Sequence, residues 1–214
     1  MNKYFDTLYD WWKNIDKPIF FIISILFILG LFFSLVSTSI IASDKLNTNS
    51  YYFFLKHLIF VTLGIFIIFL FSLLNQKLLI NISIILFLLA LVSLFLVPLI
   101  GVEVKGSKRW LDIGLFPRFQ PIETLKPFFI IAISLIISLD KKNLNFKYLL
   151  SSIILIPIII LLLSQPDLGQ TLLVISVWLA IIFVSGINLL LFASSIFVIC
   201  SLTSYLIFFV PKFN

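Results

Sequence analysis

Apolar runs separated by short polar breaks set the pattern of this chain. They cover residues 18–42, 53–74, 78–100, 121–139, 148–163, 166–185 and 187–210. Crossing the hydrocarbon of a membrane takes about 20 apolar residues in a helix, and the first three runs meet that length outright. The fourth reaches it when its helix starts at Pro121, a residue whose fixed φ and missing N–H suit the first helical position. Pro157 inside the fifth run predicts a kink. Gly186, Ile187 and Asn188 predict a tight turn between the last two runs. The expected fold is an all-α polytopic membrane protein: about seven spans in a single integral membrane domain over residues 1–214, with a 1–17 N-terminal segment and one long loop at 101–120.

Composition supports that reading. The chain is 62% hydrophobic and 11% charged, whereas soluble domains run roughly 45–50% apolar and about 25% charged. The first run is too long for a signal-peptide core and has no small-residue cleavage site close behind it, so it is expected to stay as a span. Trp11 and Trp12 before it fit an interfacial belt. One cysteine, Cys200 in an apolar run, gives no disulfide framework, and one histidine, His57, is too few for a metal cluster. The net charge of +6 does not imply nucleic acid, because the cations are scattered between spans. Cations so placed set topology or meet anionic head groups.

Orientation depends on how the long loop is treated. With the N-terminus inside, the inside segments hold Lys3, Lys13, Lys17, Lys77, Lys141, Lys142 and Lys147. The outside segments then hold Lys45, Lys56, Lys212 and five cations of the long loop and the helix start after it. Seven against eight decides nothing. Setting the long loop aside leaves seven against three, which places the N-terminus in the cytoplasm, 101–120 outside and 140–147 inside. Cations held outside against the usual bias call for a reason such as an anionic ligand.

The candidate chemistry lies between Gly101 and Pro127. Lys105, Lys108, Arg109 and Trp110 form the densest cluster, with Arg118 and Lys126 further along. Arginine offers a planar fork that matches phosphate, and lysine adds a compact charge. A solvated loop with Trp110 at the interface is the plainer alternative. Two passages then rhyme: Gln120-Pro121-Ile122-Glu123 opens the fourth run, and Gln165-Pro166-Asp167 opens the sixth. Each acid falls in a first turn, where the helix dipole favours negative charge, so both have a sufficient structural role. Their functional reading rests on depth, since ionisable groups near the hydrocarbon face a cavity or a partner. Glu123 and Lys126 stand three apart and can meet on one helix face. The residues alone lead to an inner-membrane protein with an outward-facing basic site for an anionic lipid or lipid-linked phosphate.

The motifs GVEVKGSKRW at 101–110, Gln120-Pro121-x-Glu123-x-x-Lys126-Pro127 and QPDLGQT at 165–171 resemble the SEDS family (shape, elongation, division and sporulation), whose best-known branches are RodA and FtsW. The first and third motifs are more similar to the FtsW branch. Ile122 departs from the small residue common in the family between Pro and Glu. The resemblance covers essentially the whole chain but only the first half or so of the family's length.

It implies a fold of about ten spans and the polymerisation of lipid II during cell division, with RodA-like elongation as the alternative. Undecaprenyl pyrophosphate would be the leaving group. That chemistry needs a base for the acceptor hydroxyl and cations for the leaving diphosphate. The family's essential Asp lies in an outer loop after the seventh span, where this chain ends, so no catalytic residue is assigned and the chain is expected to be inactive alone. The substrate-binding set implied is Lys105, Lys108, Arg109, Trp110, Gln120, Glu123, Lys126, Gln165 and Asp167, with help from a divalent cation left open. A class B penicillin-binding transpeptidase and other divisome proteins are the implied partners. Lipid II binding of a flippase-like kind, and a purely divisome-binding role, need no such Asp and stand as alternatives.

Overall fold

The computed structural model describes residues 9, 11–13, 15–46, 51–104, 106–112, 114, 118–139, 143–186 and 188–210. Each apolar run forms a helix: α1 (Lys17–Leu46), α2 (Tyr52–Ser72), α3 (Gln76–Ile100), α4 (Pro121–Ile137), α5 (Leu144–Ser164), α6 (Leu168–Val184) and α7 (Leu189–Phe209). By length and composition α1, α2, α3 and α5 can cross a membrane, and α6 and α7 contain shorter apolar helices. The protein is an all-α polytopic membrane protein. The long loop is more ordered than its composition suggests, because it holds a two-stranded sheet of β1 (Val102–Val104) and β2 (Ser107–Trp110).

Local sequence accounts for the helix ends. Pro121 sits at the start of α4 as expected. Pro166 does not do the same for α6. It stands outside the helix, and α6 begins at Leu168 with Asp167 as its N-cap. The side-chain oxygen of Asp167 accepts from the Gln170 N–H at 3.3 Å, and that cap sets the start two residues later than the apolar pattern indicated. Pro157 lies within α5, which runs unbroken from Leu144 to Ser164.

The chain divides into two compact units, Met1–Leu79 and Ile80–Asn214. In the first, α1 and α2 pair, and α2 has no buried residue. Trp11 closes one end of that pair by donating Nε1–H to the Ser72 hydroxyl at 2.7 Å, while its ring meets Phe69 edge-on. The second unit has a packed interior. Ile122, Leu125, Phe129 and Ile133 recur every three or four residues along one face of α4 and are buried against Leu94 of α3, Ile158 and Leu162 of α5, and Val174 of α6. A single apolar stripe of this spacing gives a helix one face to bury. Fixing α4, α5 and α6 against one another brings the start of α4 and the α5–α6 turn together.

Candidate functional site

The hairpin begins where a side chain is forbidden. A Cβ on Gly101 would strike the Val97 carbonyl oxygen at the end of α3. Val104 then pairs with Ser107 across the turn, and Gly106 between them takes φ +81°, a conformation that glycine alone adopts freely. Val102 pairs with Trp110 and Glu103 with Lys108. That count leaves Arg109 as one extra residue on β2, a bulge. A bulge bends its strand and re-aims a side chain. Lys108 stays exposed opposite exposed Glu103, whereas Arg109 and Trp110 are both partly buried.

The redirected Arg109 fork reaches the turn between α5 and α6. Its Nε donates to the Gln165 carbonyl at 3.2 Å, and Nη2 donates to the Pro166 carbonyl at 2.5 Å. Nη1 lies 3.7 Å from Asp167 Oδ2. Gln165 is the C-cap of α5, so the guanidinium satisfies carbonyls at a helix end where positive charge is favoured. Asp167 is buried, with its side chain 9% exposed. Its Oδ2 also accepts from Gln120 Nε2 at 3.2 Å, while Oδ1 takes the Gln170 N–H of the cap. Thr171 returns its hydroxyl to the Asp167 carbonyl at 2.7 Å.

A second knot lies beside the first. Lys126 Nζ and Glu123 Oε2 are 2.7 Å apart within α4. The Gln170 amide bridges across to that pair: its Nε2 donates to Glu123 Oε1 at 2.8 Å, and its Oε1 accepts from Lys126 Nζ at 3.1 Å. In an ordinary capping box the Gln three residues into a helix would turn back to the cap. Here its backbone serves the cap and its side chain joins α6 to α4.

Of the residues singled out in the sequence, the structure brings Arg109, Gln120, Glu123, Lys126 and Asp167 into this one constellation. Gln165 takes part through its carbonyl. Its side chain is buried at 3% exposure, and neither Nε2 nor Oε1 has a partner. Lys108 and Trp110 remain on the hairpin, with no hydrogen bond or ion pair to the constellation among the described residues, and Lys105 lies outside those residues. Gln170 and Thr171 are the members that sequence reasoning missed. The signal available was the Asp167-x-x-Gln170 spacing of a cap and its third helical residue. Within the knots two acids meet two cations, so Lys108, set opposite Glu103 on the hairpin, is the described cation at this end that no acid of the knots engages.

Arg118 belongs to a separate arrangement. Leu111 and Phe119 exchange backbone hydrogen bonds at 2.9 and 3.1 Å, closing a small loop. Inside it Arg118 Nε meets Asp112 Oδ2 at 2.9 Å. The Arg118 hydrogen bond, helped by the Gly114 N–H, holds the Asp112 carboxyl below its ordinary value. Among the described residues no three His, Cys, Asp or Glu side chains gather to hold a metal ion.

Comparison with known proteins places the chain in a family. The family described as "Cell cycle protein", that of FtsW, RodA and SpoVE, matches residues 16–213. A protein of Wigglesworthia glossinidia brevipalpis named "Probable peptidoglycan glycosyltransferase FtsW" is 34% identical, over 81% of this chain and 46% of its own. Its namesake in Taylorella equigenitalis is 36% identical, over 73% of this chain and 44% of its own. The crystal structure of the rod shape determining protein RodA of Thermus thermophilus superposes with a TM-score of 0.62 at 25% identity, over 81% of this chain and 58% of that one. A further solved structure, described as "Structural coordination of polymerization and crosslinking by a peptidoglycan synthase complex", superposes with a TM-score of 0.64 at 24% identity, over 86% of this chain and 55% of that one. The chain spans about half the length of the curated relatives it matches. A match along nearly all of residues 16–213 and the motifs within it carry the assignment: the chain belongs to the SEDS family of FtsW, RodA and SpoVE.

Proposed function

We propose that this chain contributes the lipid-diphosphate-binding part of a peptidoglycan glycosyltransferase of the FtsW type, acting on lipid II in cell division. Two of its relatives carry that enzyme's name. The observation that carries the reading is the constellation at the start of α4 and the α5–α6 turn, which fixes a cationic hairpin at the edge of the helices. Glycosyl transfer from a lipid-linked sugar releases a diphosphate, whose developing charge needs preplaced cations. Lys108 is the described cation of the hairpin left to meet it, with Lys105 beside it in sequence and Trp110 to pack against the lipid or sugar. Arg109, Gln120, Glu123, Lys126, Gln165 and Asp167 build the wall that holds the hairpin in place. Glu123 and Asp167 are engaged with Lys126 and Arg109, so neither is assigned as a base, and any divalent cation would come held by the diphosphate. The base for the acceptor hydroxyl would come from outer-loop sequence beyond α7.

The proposed setting is the bacterial cytoplasmic membrane at the septum, with the N-terminus inside and the hairpin outside. A crosslinking transpeptidase is the proposed partner, in keeping with the similar synthase complex, which coordinates polymerization and crosslinking. Native mass spectrometry with lipid II tests the reading. The parent chain should bind it, and Lys108→Ala should weaken binding by about tenfold, the scale of one charge-assisted hydrogen bond. Equal binding by parent and variant would overturn the assignment of the hairpin as the diphosphate site.

A further inference from the structure

We propose that Arg109 is a positioning residue: its fork locks the α5–α6 turn and through it the hairpin, and it acts on a diphosphate only by keeping that arrangement. This rests on the reading of the hairpin as a lipid-diphosphate site and assigns a distinct task to the arginine that composition would pick as its ligand.

Two independent observations carry it. The first is where the donors go. Nε, Nη1 and Nη2 each face the turn, at the Gln165 carbonyl, Asp167 and the Pro166 carbonyl respectively. A guanidinium offers five N–H donors in one rigid plane, so turning it to an outside phosphate would uncover two carbonyls and a buried carboxylate together. The bulge on β2 is what aims it inward. The second observation is the Gln165 amide, buried with both polar atoms unpaired. Left to itself, a glutamine at a helix end would turn its amide to water or to a neighbour, because an unpaired buried amide is costly. The turn is thus held against the preference of its own side chain; the Asp167 N–H on the Leu162 carbonyl closes it from within, and the Arg109 fork on the Gln165 carbonyl is the contact that holds it from the hairpin.

Among the described residues, the hairpin and the turn share this one charged link. An anionic ligand at Lys108 therefore meets a hairpin whose direction is already set, and loss of the link costs affinity without removing a ligand contact.

Hydrogen exchange on the full chain in phosphatidylcholine nanodiscs, without ligand, tests the lock directly. Gln170 N–H is held by the Asp167 cap, and Thr171 N–H by the Asp167 carbonyl. Arg109→Ala should speed exchange at both by at least tenfold, and added ethylguanidinium should restore slow exchange. Lys108→Ala should leave both rates as in the parent. With farnesyl diphosphate as probe, Arg109→Ala should weaken binding several-fold and ethylguanidinium should rescue it. Gln165→Met should raise the melting temperature of the parent but not of the Arg109→Ala background, where the turn is free to relax. Unchanged exchange in Arg109→Ala would overturn the lock. Faster exchange with farnesyl diphosphate binding intact would overturn the positioning role. If instead Lys108→Ala binds the probe like the parent while Arg109→Ala still exchanges fast, the diphosphate reading fails and the lock survives.

Discussion

Two arginines of one loop, nine residues apart in sequence, end in opposite circumstances. Arg109 reaches across 56 and 57 residues of sequence to the α5–α6 turn, and its side chain is 33% exposed. Arg118 pairs with a carboxylate six residues away and is 55% exposed. The same side chain is a tie between distant elements in one case and the closure of a small surface loop in the other. What differs is the backbone beneath: a bulge on a strand anchored to α3 for Arg109, and a position beside the isolated Leu111–Phe119 bridge for Arg118. Charge density along the sequence says little about which cation matters to the fold. Burial of the partner and the distance bridged say more.

That contrast can be broken most sharply at the shared partner. Asp167→Ala removes the N-cap of α6 and the carboxylate that Gln120 and Arg109 both face, so it should cost about 3 kcal/mol of stability, read from unfolding in mixed micelles. Next comes the arginine itself. Arg109→Ala should cost about 2 kcal/mol, and Arg109→Lys should recover only part of it, since a lysine cannot hold both carbonyls at once. Lys126→Met keeps the apolar stem but leaves Glu123, which is half exposed, to water. It should cost about 1 kcal/mol or less, as partly exposed pairs do.

Arg118→Ala should have the smallest effect, and a pH dependence identifies it. Asp112 titrates below its ordinary value because of Arg118 and the Gly114 N–H. A depressed carboxyl contributes stability above its unfolded-state pKa and loses it as pH falls through the folded one. The small gap between parent and Arg118→Ala should therefore be constant near neutrality and close as the pH drops below about 4. A gap that widens in acid would show that Arg118 acts through another group.

The helices were readable in the sequence because a membrane leaves a coarse signal, runs of apolar residues near the length that spans it. Their ends were readable only where a local cap spoke. Pro121 did so correctly, while Pro166 pointed two residues early because Asp167 takes the cap. The hairpin was hidden. Val102-Glu103-Val104 alternates as a strand should, but three residues are too few to stand out, and the bulge at Arg109 breaks the alternation on the other strand. The site was half legible. Arg109, Gln120, Glu123, Lys126 and Asp167 stood out as polar groups in an apolar chain, yet their partners were not predictable from spacing. The contacts of Gln170 with Glu123 and Lys126 span 47 and 44 residues and depend on how α4 and α6 pack.

A double-mutant cycle measures the tie between the hairpin and the α5–α6 turn through Arg109 and Asp167. Unfolding free energies of the parent, Arg109→Ala, Asp167→Ala and the double variant should show a coupling of about 1–3 kcal/mol, since the second substitution removes an interaction already lost with the first. Additivity within about 0.5 kcal/mol would mean that the two side chains act independently, and the tie would not exist.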